Sequence, residues 1–130
     1  MPFPVEEQYI EETEKSLNIK LSTSFKDLMK KNNGGTIITN DDYWEIYPFF
    51  DKSDRKRLSR TSNHIVKETA SAKDWSQFPN NAIAIASNGS GDVLVFLHEN
   101  NISSDEIYLW SHELGKTKKI ADSFDLLNIE

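Results

Sequence analysis

The apolar positions of this chain change between a helical spacing and a two-residue spacing, so the pattern predicts both helices and strands. Residues 6–17 form the first predicted helix, with Ile10 and Leu17 on its inward side. The glutamates near its start complement the helix dipole. Asn18 follows the last apolar position and suits the cap that ends this helix.

A second predicted helix begins at a cap supplied by one of residues 22–24 and runs to about Asn32. Its apolar side chains recur at the i, i+3 and i+4 spacing that places them on one face. The next residues are Asn33, Gly34 and Gly35. We expect both glycines to be structural, with Gly34 ending the helix in the left-handed conformation.

The first predicted β-hairpin joins a strand at residues 36–39 to an aromatic strand at residues 43–47. Because successive side chains of a strand point to opposite faces, alternate residues of the second strand should be exposed and the others buried. The expected exposed set is Tyr43, Glu45 and Tyr47.

A second predicted hairpin joins strands at residues 82–86 and 93–97 through a glycine-rich turn. We expect Gly89 and Gly91 to supply the backbone geometry of the turn. Asp92 should brace the same turn by accepting hydrogen bonds from its backbone N–H groups.

Three further elements complete the prediction: one helix within residues 53–72, a strand at residues 106–110, and a closing helix from about residue 122. Trp110 and Phe124 belong to the expected core of these elements. The order of elements predicts an α+β fold with an antiparallel or mixed sheet flanked by helices. At 130 residues the chain is expected to be a single domain, residues 1–130.

Composition and the first residues narrow the class of protein. The chain has no cysteine, which excludes disulfides, thiolate metal sites and cysteine nucleophiles and fits a cytoplasmic location. The mean hydropathy is -0.60. The first residues lack the basic and apolar segments of a signal peptide, and no apolar run is long enough to span a membrane.

Charge is distributed unevenly around a net charge of -6. Acidic and basic residues number nine and five in residues 1–50, three and seven in 51–73, and nine and three in 74–130. The acidic body disfavours direct binding of nucleic acid, because phosphate binding needs concentrated lysine and arginine. It favours a basic protein partner, whose approach it would steer.

No catalytic, metal or cofactor site can be assembled from the polar motifs. His98 and His112 each precede a glutamate, but Ile102 and Lys116 stand where a zinc-binding helix would need the second histidine. The turn at residues 88–92 is followed by a strand rather than the helix N-terminus that binds phosphate. We therefore expect a protein that is not an enzyme and that carries no cofactor.

Two kinds of charged cluster remain as candidate contact surfaces. The basic cluster is best interpreted as a solvated helix face, with a nucleic-acid site as the alternative, since it lacks aromatic stacking residues. It consists of Lys52, Arg55, Lys56, Arg57 and Arg60.

The acidic candidates offer aromatic anchors inside a negative rim, a combination that suits a basic protein partner. The preferred set is Asp41, Asp42, Tyr43, Glu45 and Tyr47 in the first hairpin. The competing set is Asp105, Glu106 and Glu113. The alternative is that both sets serve only solubility.

Several of these segments, in order, resemble the SMI1/KNR4 family of the SUKH superfamily. The resemblance starts at residues 10–21 and continues at residues 25–29 and at Asn33, Gly34 and Gly35. It is completed by residues 78–83 with the glycine-aspartate turn at residues 88–92, the tryptophan strand at residues 107–110 and the closing segment at residues 120–124. Asn18 and Ser22 replace residues that the family often has as glycine and proline.

The resemblance implies an SMI1/KNR4-like α+β fold and a role in protein binding. Many bacterial members are immunity proteins that bind and neutralise a cognate toxin, often a nuclease, from polymorphic toxin systems. Fungal relatives regulate cell-wall glucan synthesis. The leading expectation is therefore an immunity protein that occludes a toxin stoichiometrically, and the alternative is a binding or scaffold module in cell-wall or signalling regulation. The toxin's identity and the oligomeric state stay open.

Overall fold

The computed structural model describes residues 2–130, in which helices and strands alternate in an α+β arrangement. The helices are α1 (Glu7–Leu17), α2 (Thr23–Lys31), α3 (Arg55–Arg60) and α4 (Ile65–Ala72), with a 3₁₀ helix at Phe124–Leu126. The strands are β1 (Thr36–Thr39), β2 (Asp42–Ile46), β3 (Ala82–Ser87), β4 (Val93–Glu99), β5 (Ile102–Ser103), β6 (Ile107–Ser111), β7 (Lys116–Ala121) and β8 (Asn128–Ile129).

The strands form one sheet in the order β7-β6-β4-β3-β2-β1-β8, with β5 paired to β4. Every pairing between these strands is antiparallel, which confirms the predicted α+β class and decides between an antiparallel and a mixed sheet. Neighbouring strands therefore run in opposite directions throughout this order. Three hairpins, β1–β2, β3–β4 and β6–β7, each begin with a strand that runs in the same direction, so their connecting turns lie at the same end of the sheet. No helix among residues 2–130 is long and apolar enough to cross a membrane.

Helix α4 replaces a strand where β2 leaves the sheet. β2 pairs with β3 only through Glu45 and Ile46. Beyond that point the buried Thr69 hydroxyl of α4 accepts a hydrogen bond from the backbone N–H of Ala84 at 3.0 Å. This contact satisfies a buried strand donor that has lost its strand partner, and it fixes α4 against the sheet.

The core between the helices and the sheet centres on Phe25 of α2. Its ring lies 5.2 Å from that of Phe96 and 4.7 Å from that of Phe124, both edge-to-face, and 5.6 Å from that of Phe49. Such tilted and edge-to-face contacts are the favoured geometry for aromatic pairs. Phe124 is 1% exposed, so the chain's closing segment is anchored in this core.

The predicted helix within residues 53–72 is wrong in its continuity, because the chain forms two short helices there. Asp54 accepts a hydrogen bond from the Arg57 N–H at the start of α3, and His64 accepts one from the Lys67 N–H at the start of α4. The break falls between them, where Thr61 caps α3 in a non-helical conformation. The residues that cap the starts of α3 and α4 divide a segment that the apolar spacing alone would predict to be one helix.

The predicted closing helix is also corrected, to a single 3₁₀ turn at Phe124–Leu126 that is followed by β8. β8 pairs with β1 through Ile37 and Ile38. The sequence prediction omitted β5, β7 and β8. The residues of β7 do not alternate between apolar and polar in the way that predicts a strand, since its first four residues are all exposed.

The two helix ends predicted in the first third differ in outcome. Asn18 has φ 56° and caps α1 in the left-handed conformation, as expected. α2 ends at Lys31 with Asn32 in an extended conformation, so Gly34 does not provide its left-handed cap. Gly34 and Gly35 instead have φ values of 133° and 117°, which side-chain-bearing residues rarely adopt.

Candidate partner-binding surface

The hairpin turns at residues 40–41, 88–92 and 112–115 lie side by side at one end of the sheet, and we call this surface the turn edge. It collects acidic side chains from segments that are far apart in sequence. Asp41 and Glu113 are exposed on it, and Asp42 is half-buried.

The β1–β2 turn has a backbone that only a few residue types adopt readily. Asn40 and Asp41 have φ values of 52° and 59°, the paired left-handed conformation of a tight hairpin turn. Asp42 accepts a hydrogen bond from the backbone N–H of Tyr43 through Oδ1 and one from Nδ2 of Asn88 through Oδ2, each at 2.9 Å. Asp42 therefore holds the first hairpin against the turn of the second, whereas the carboxylate of Asp41 accepts no hydrogen bond from any described residue.

Asp92 connects the second turn to the third, which differs from the bracing role predicted for it. Its Oδ1 accepts from the backbone N–H of His112 at 3.0 Å and lies 2.6 Å from His112 Nδ1. Within its own turn the bracing acceptor is Asn88 Oδ1, which takes the N–H of Ser90. A Cβ at Gly91 would lie 3.0 Å from His112 Nδ1, so the close approach of these turns needs glycine there.

Exposed apolar side chains accompany the acids at the turn edge. Tyr43 is 67% exposed and Leu114 is 69% exposed, although both are large. Tyr47, in contrast, is buried, which contradicts its predicted exposure beside Tyr43. The Tyr47 N–H still donates to the Ile85 carbonyl at 2.8 Å, so the backbone continues beside β3 at this position. β3 is buried on both faces, so the face that alternation assigns to solvent is covered here. Burial raises the pKa of the Tyr47 phenol above its ordinary value.

Glu45 is exposed but faces a different neighbourhood from Asp41. It lines a cleft of about 330 Å³ together with Arg57 and Arg60 of α3 and the backbone of Gly34 and Gly35. Glu45 therefore belongs to the wall of a cleft of mixed charge and not to the turns.

The competing acidic set is divided by the structure. Asp105 and Glu106 precede β6 whereas Glu113 follows it, so they lie at opposite ends of this five-residue strand. At about 3.4 Å per residue the strand separates them by about 17 Å. Glu113 joins Asp41 at the turn edge, and the surface around Asp105 forms a separate acidic site.

The basic cluster is largely engaged within the chain. Lys52 Nζ lies 2.8 Å from Glu12 Oε1, and this hydrogen bond raises the pKa of Lys52. Arg57 pairs with Asp54. The ring of Phe3 lies under Arg57 and two neighbouring cations, with the Arg57 guanidinium carbon 4.3 Å from the ring centroid. These contacts clamp the N-terminal segment to α3.

Asn33 is a buried polar residue whose role the sequence did not reveal. Its Nδ2 donates to the Phe49 carbonyl at 2.9 Å, and its Oδ1 accepts the Phe49 N–H at 2.8 Å. Its own N–H donates to the carbonyl of Phe3 at 2.8 Å. Asn33 therefore joins the N-terminal segment, the end of α2 and the chain that leaves β2.

The positions predicted to be structural lie at turns or in the core. Trp110 is 2% exposed and stacks on Trp75 at 5.7 Å between ring centroids. A Cβ at Gly35 would lie 3.1 Å from the Glu130 carbonyl, whereas one at Gly89 would meet nothing within 4 Å. Within residues 2–130 no three histidine or carboxylate side chains are grouped so that they could hold a metal ion.

The comparison with known proteins agrees with this architecture. No curated protein matches the chain closely enough to be counted as a relative. The model of one protein family matches residues 4–127, which include every helix and every strand from α1 to β7. The chain belongs to the SMI1/KNR4 family (SUKH-1).

Proposed function

We propose that this chain is an immunity protein that binds a cognate polymorphic toxin and neutralises it by stoichiometric occlusion. Domains of the SUKH family are generally non-catalytic immunity or binding domains, which supports binding rather than catalysis. The proposal needs no cofactor. It places the protein in the cytoplasm, where a toxin such as a nuclease would meet its target.

The observation that carries the proposal is the composition of the turn edge. Asp41 and Glu113 are exposed there on separate hairpins, and Asp42 and Asp92 hold neighbouring turns in place by hydrogen bonds. Exposed Tyr43 supplies an aromatic side chain of the type that anchors protein interfaces. A rigid, negatively charged edge with an aromatic anchor complements a basic protein surface.

The proposed partner is accordingly a basic toxin domain, with the turn edge as its docking surface. Long-range attraction to a protein of net charge -6 accelerates the encounter, and contacts at Tyr43 then slow dissociation. An immunity protein benefits from fast capture because it must bind the toxin before the toxin acts. Occlusion by bulk requires no chemistry from the immunity protein itself.

The test is co-expression with the product of the neighbouring open reading frame, followed by purification through a tag on that product. We expect a stable one-to-one complex and rescue of cell growth. The charge-reversed variant Asp41→Lys with Glu113→Lys should weaken both. The matched control, Asp105→Lys with Glu106→Lys, reverses the same number of charges at the other end of β6 and should leave both intact.

Other outcomes would assign a different role or surface. If no toxin-like gene is adjacent and the chain instead retains an endogenous cell-wall or signalling protein, the scaffold alternative replaces the immunity proposal. If the complex forms but responds to the change at Asp105 and Glu106 rather than to that at the turn edge, the immunity proposal stands and its docking surface moves.

A further inference from the structure

Strand β7 is the open edge of the sheet among the described residues. It is the terminal strand in the sheet order and pairs on one side only, with β6. It is six residues long, and its first four residues are exposed. The edge at β8 is much shorter, since β8 has two residues. A strand with one unpaired side presents backbone N–H and C=O groups that can pair with another extended segment.

β7 also concentrates positive charge within an acidic part of the protein. Residues 74–130 contain three basic residues, and all of them lie in β7, at Lys116, Lys118 and Lys119. Lys119 pairs with Asp122 at 2.9 Å. Lys116 and Lys118 form no ion pair with any residue in the range 2–130. Because they are two residues apart in a strand, these two lysines project from the same face.

We propose that β7 is a docking edge for an extended, acidic segment of a partner protein, which adds to the sheet as a further strand. The added strand would gain main-chain hydrogen bonds from β7. Two carboxylates placed two residues apart on that strand would project from the same face of the sheet as Lys116 and Lys118. They would then lie directly across from the two lysines as cross-strand pairs. The edge therefore selects for charge spacing as well as for extended conformation.

A second copy of this chain fits the same edge poorly. Pairing β7 with β7 of another molecule would bring lysines of the two strands close together, and like charges on adjacent strands are unfavourable. Lysines on an edge strand commonly prevent such pairing. The lysines thus disfavour self-association while they favour an acidic strand. This inference goes beyond the proposed toxin contact, which uses the turn edge and a basic partner.

The experiment uses the full chain and short synthetic peptides in a threonine and valine background. The acidic probe carries two glutamates two residues apart, and the neutral probe carries glutamines in their place. Backbone amide resonances of β7 report binding by NMR. We expect the acidic peptide to shift β7 resonances and to bind about tenfold more tightly than the neutral one, since two exposed charge pairs contribute modestly.

A charge swap tests the register directly. The variant Lys116→Glu with Lys118→Glu should lose the acidic peptide and bind a peptide with two lysines at the same spacing. Both lysines are exposed, so this change should leave the fold intact. A peptide with proline at the centre should bind neither form, because proline removes a main-chain donor and resists pairing within a sheet.

Three results would overturn the proposal. The first is equal binding of the acidic and neutral peptides. The second is binding of the acidic peptide with resonance shifts confined to residues outside β7. The third is the absence of any peptide binding while Lys116→Thr with Lys118→Thr produces dimers or aggregates, which would show that the lysines serve only to block edge pairing. A failure of this proposal leaves the toxin contact at the turn edge unaffected, because the probes and the surface differ.

Discussion

Replacing Asn33 with alanine should destabilise the protein far more than the same change at the neighbouring Asn32. Asn33 is 7% exposed and exchanges two hydrogen bonds with the backbone of Phe49. Asn32 is exposed, and its side chain makes no hydrogen bond with the described residues. The two substitutions are chemically identical, so their difference isolates the buried contacts of Asn33.

The expected magnitude follows from the groups left without partners. Asn33→Ala deprives one buried N–H and one buried C=O of Phe49, and each unsatisfied group costs about 1–3 kcal/mol. We expect a total loss of about 2–5 kcal/mol for Asn33→Ala. Asn32→Ala should stay within about 0.5 kcal/mol of the parent protein. Asn33→Asp keeps the acceptor for the Phe49 N–H but removes the donor, so its loss should also be substantial.

Urea unfolding followed by tryptophan fluorescence measures these differences through the transition midpoint. A loss of this size lowers the melting temperature by about 7–18 °C in a protein of this length. Typical domains have a stability of about 5–15 kcal/mol, so the variant should still fold at room temperature. The reasoning is refuted if Asn33→Ala and Asn32→Ala unfold at the same urea concentration.

Two further predictions concern a turn and a titrating side chain. Gly91→Val should lower the melting temperature more than Gly89→Val, because both glycines have positive φ but only Gly91 approaches His112. Any loss of partner binding by Gly91→Val should follow from misfolding. Equal decreases in melting temperature for the two variants would contradict this reasoning. Burial lowers the pKa of His64, so the folded state favours the neutral ring, and stability should fall as the pH drops below about 6.5, where the unfolded chain takes up the proton. His64→Asn keeps a side-chain oxygen that can cap α4, and it should reduce the loss of stability at acidic pH. Urea unfolding at acidic and neutral pH measures this loss. A pH dependence of stability that is the same in the variant and the parent would exclude His64 as the source of that dependence.

The parts of the fold that the sequence predicted are those set by local patterns. The helices α1 and α2 and the hairpins β1–β2 and β3–β4 follow from apolar spacing and from turn residues within about ten positions of each other. The left-handed Asn18 follows from the same short-range logic, since asparagine tolerates that conformation. The prediction failed at Tyr47 because alternation assumes that one face is open to solvent, whereas Tyr47 lies beside β3, which is buried on both faces.

The remaining features depend on contacts between distant segments. Asp92 meets His112 twenty residues later, and Asp42 meets Asn88 forty-six residues later. Neither pair has a sequence signature, because each residue alone is an ordinary polar turn residue. β7 escaped prediction for a different reason: a strand that is mostly exposed needs no apolar alternation. The division of the acidic candidates between two ends of the sheet likewise required the strand order.

The central claim, that the turn edge captures a basic toxin, is tested most directly by association rates with the purified partner. Stopped-flow measurements would compare the parent protein with Asp41→Lys plus Glu113→Lys and with Asp105→Lys plus Glu106→Lys. Asp42 is left unchanged because its carboxylate holds Asn88. We predict that the turn-edge variant associates about tenfold more slowly at low salt, that the difference shrinks at high salt, and that the control changes little. Equal rates for the turn-edge variant and the parent at low salt, with the fold intact, would contradict the claim.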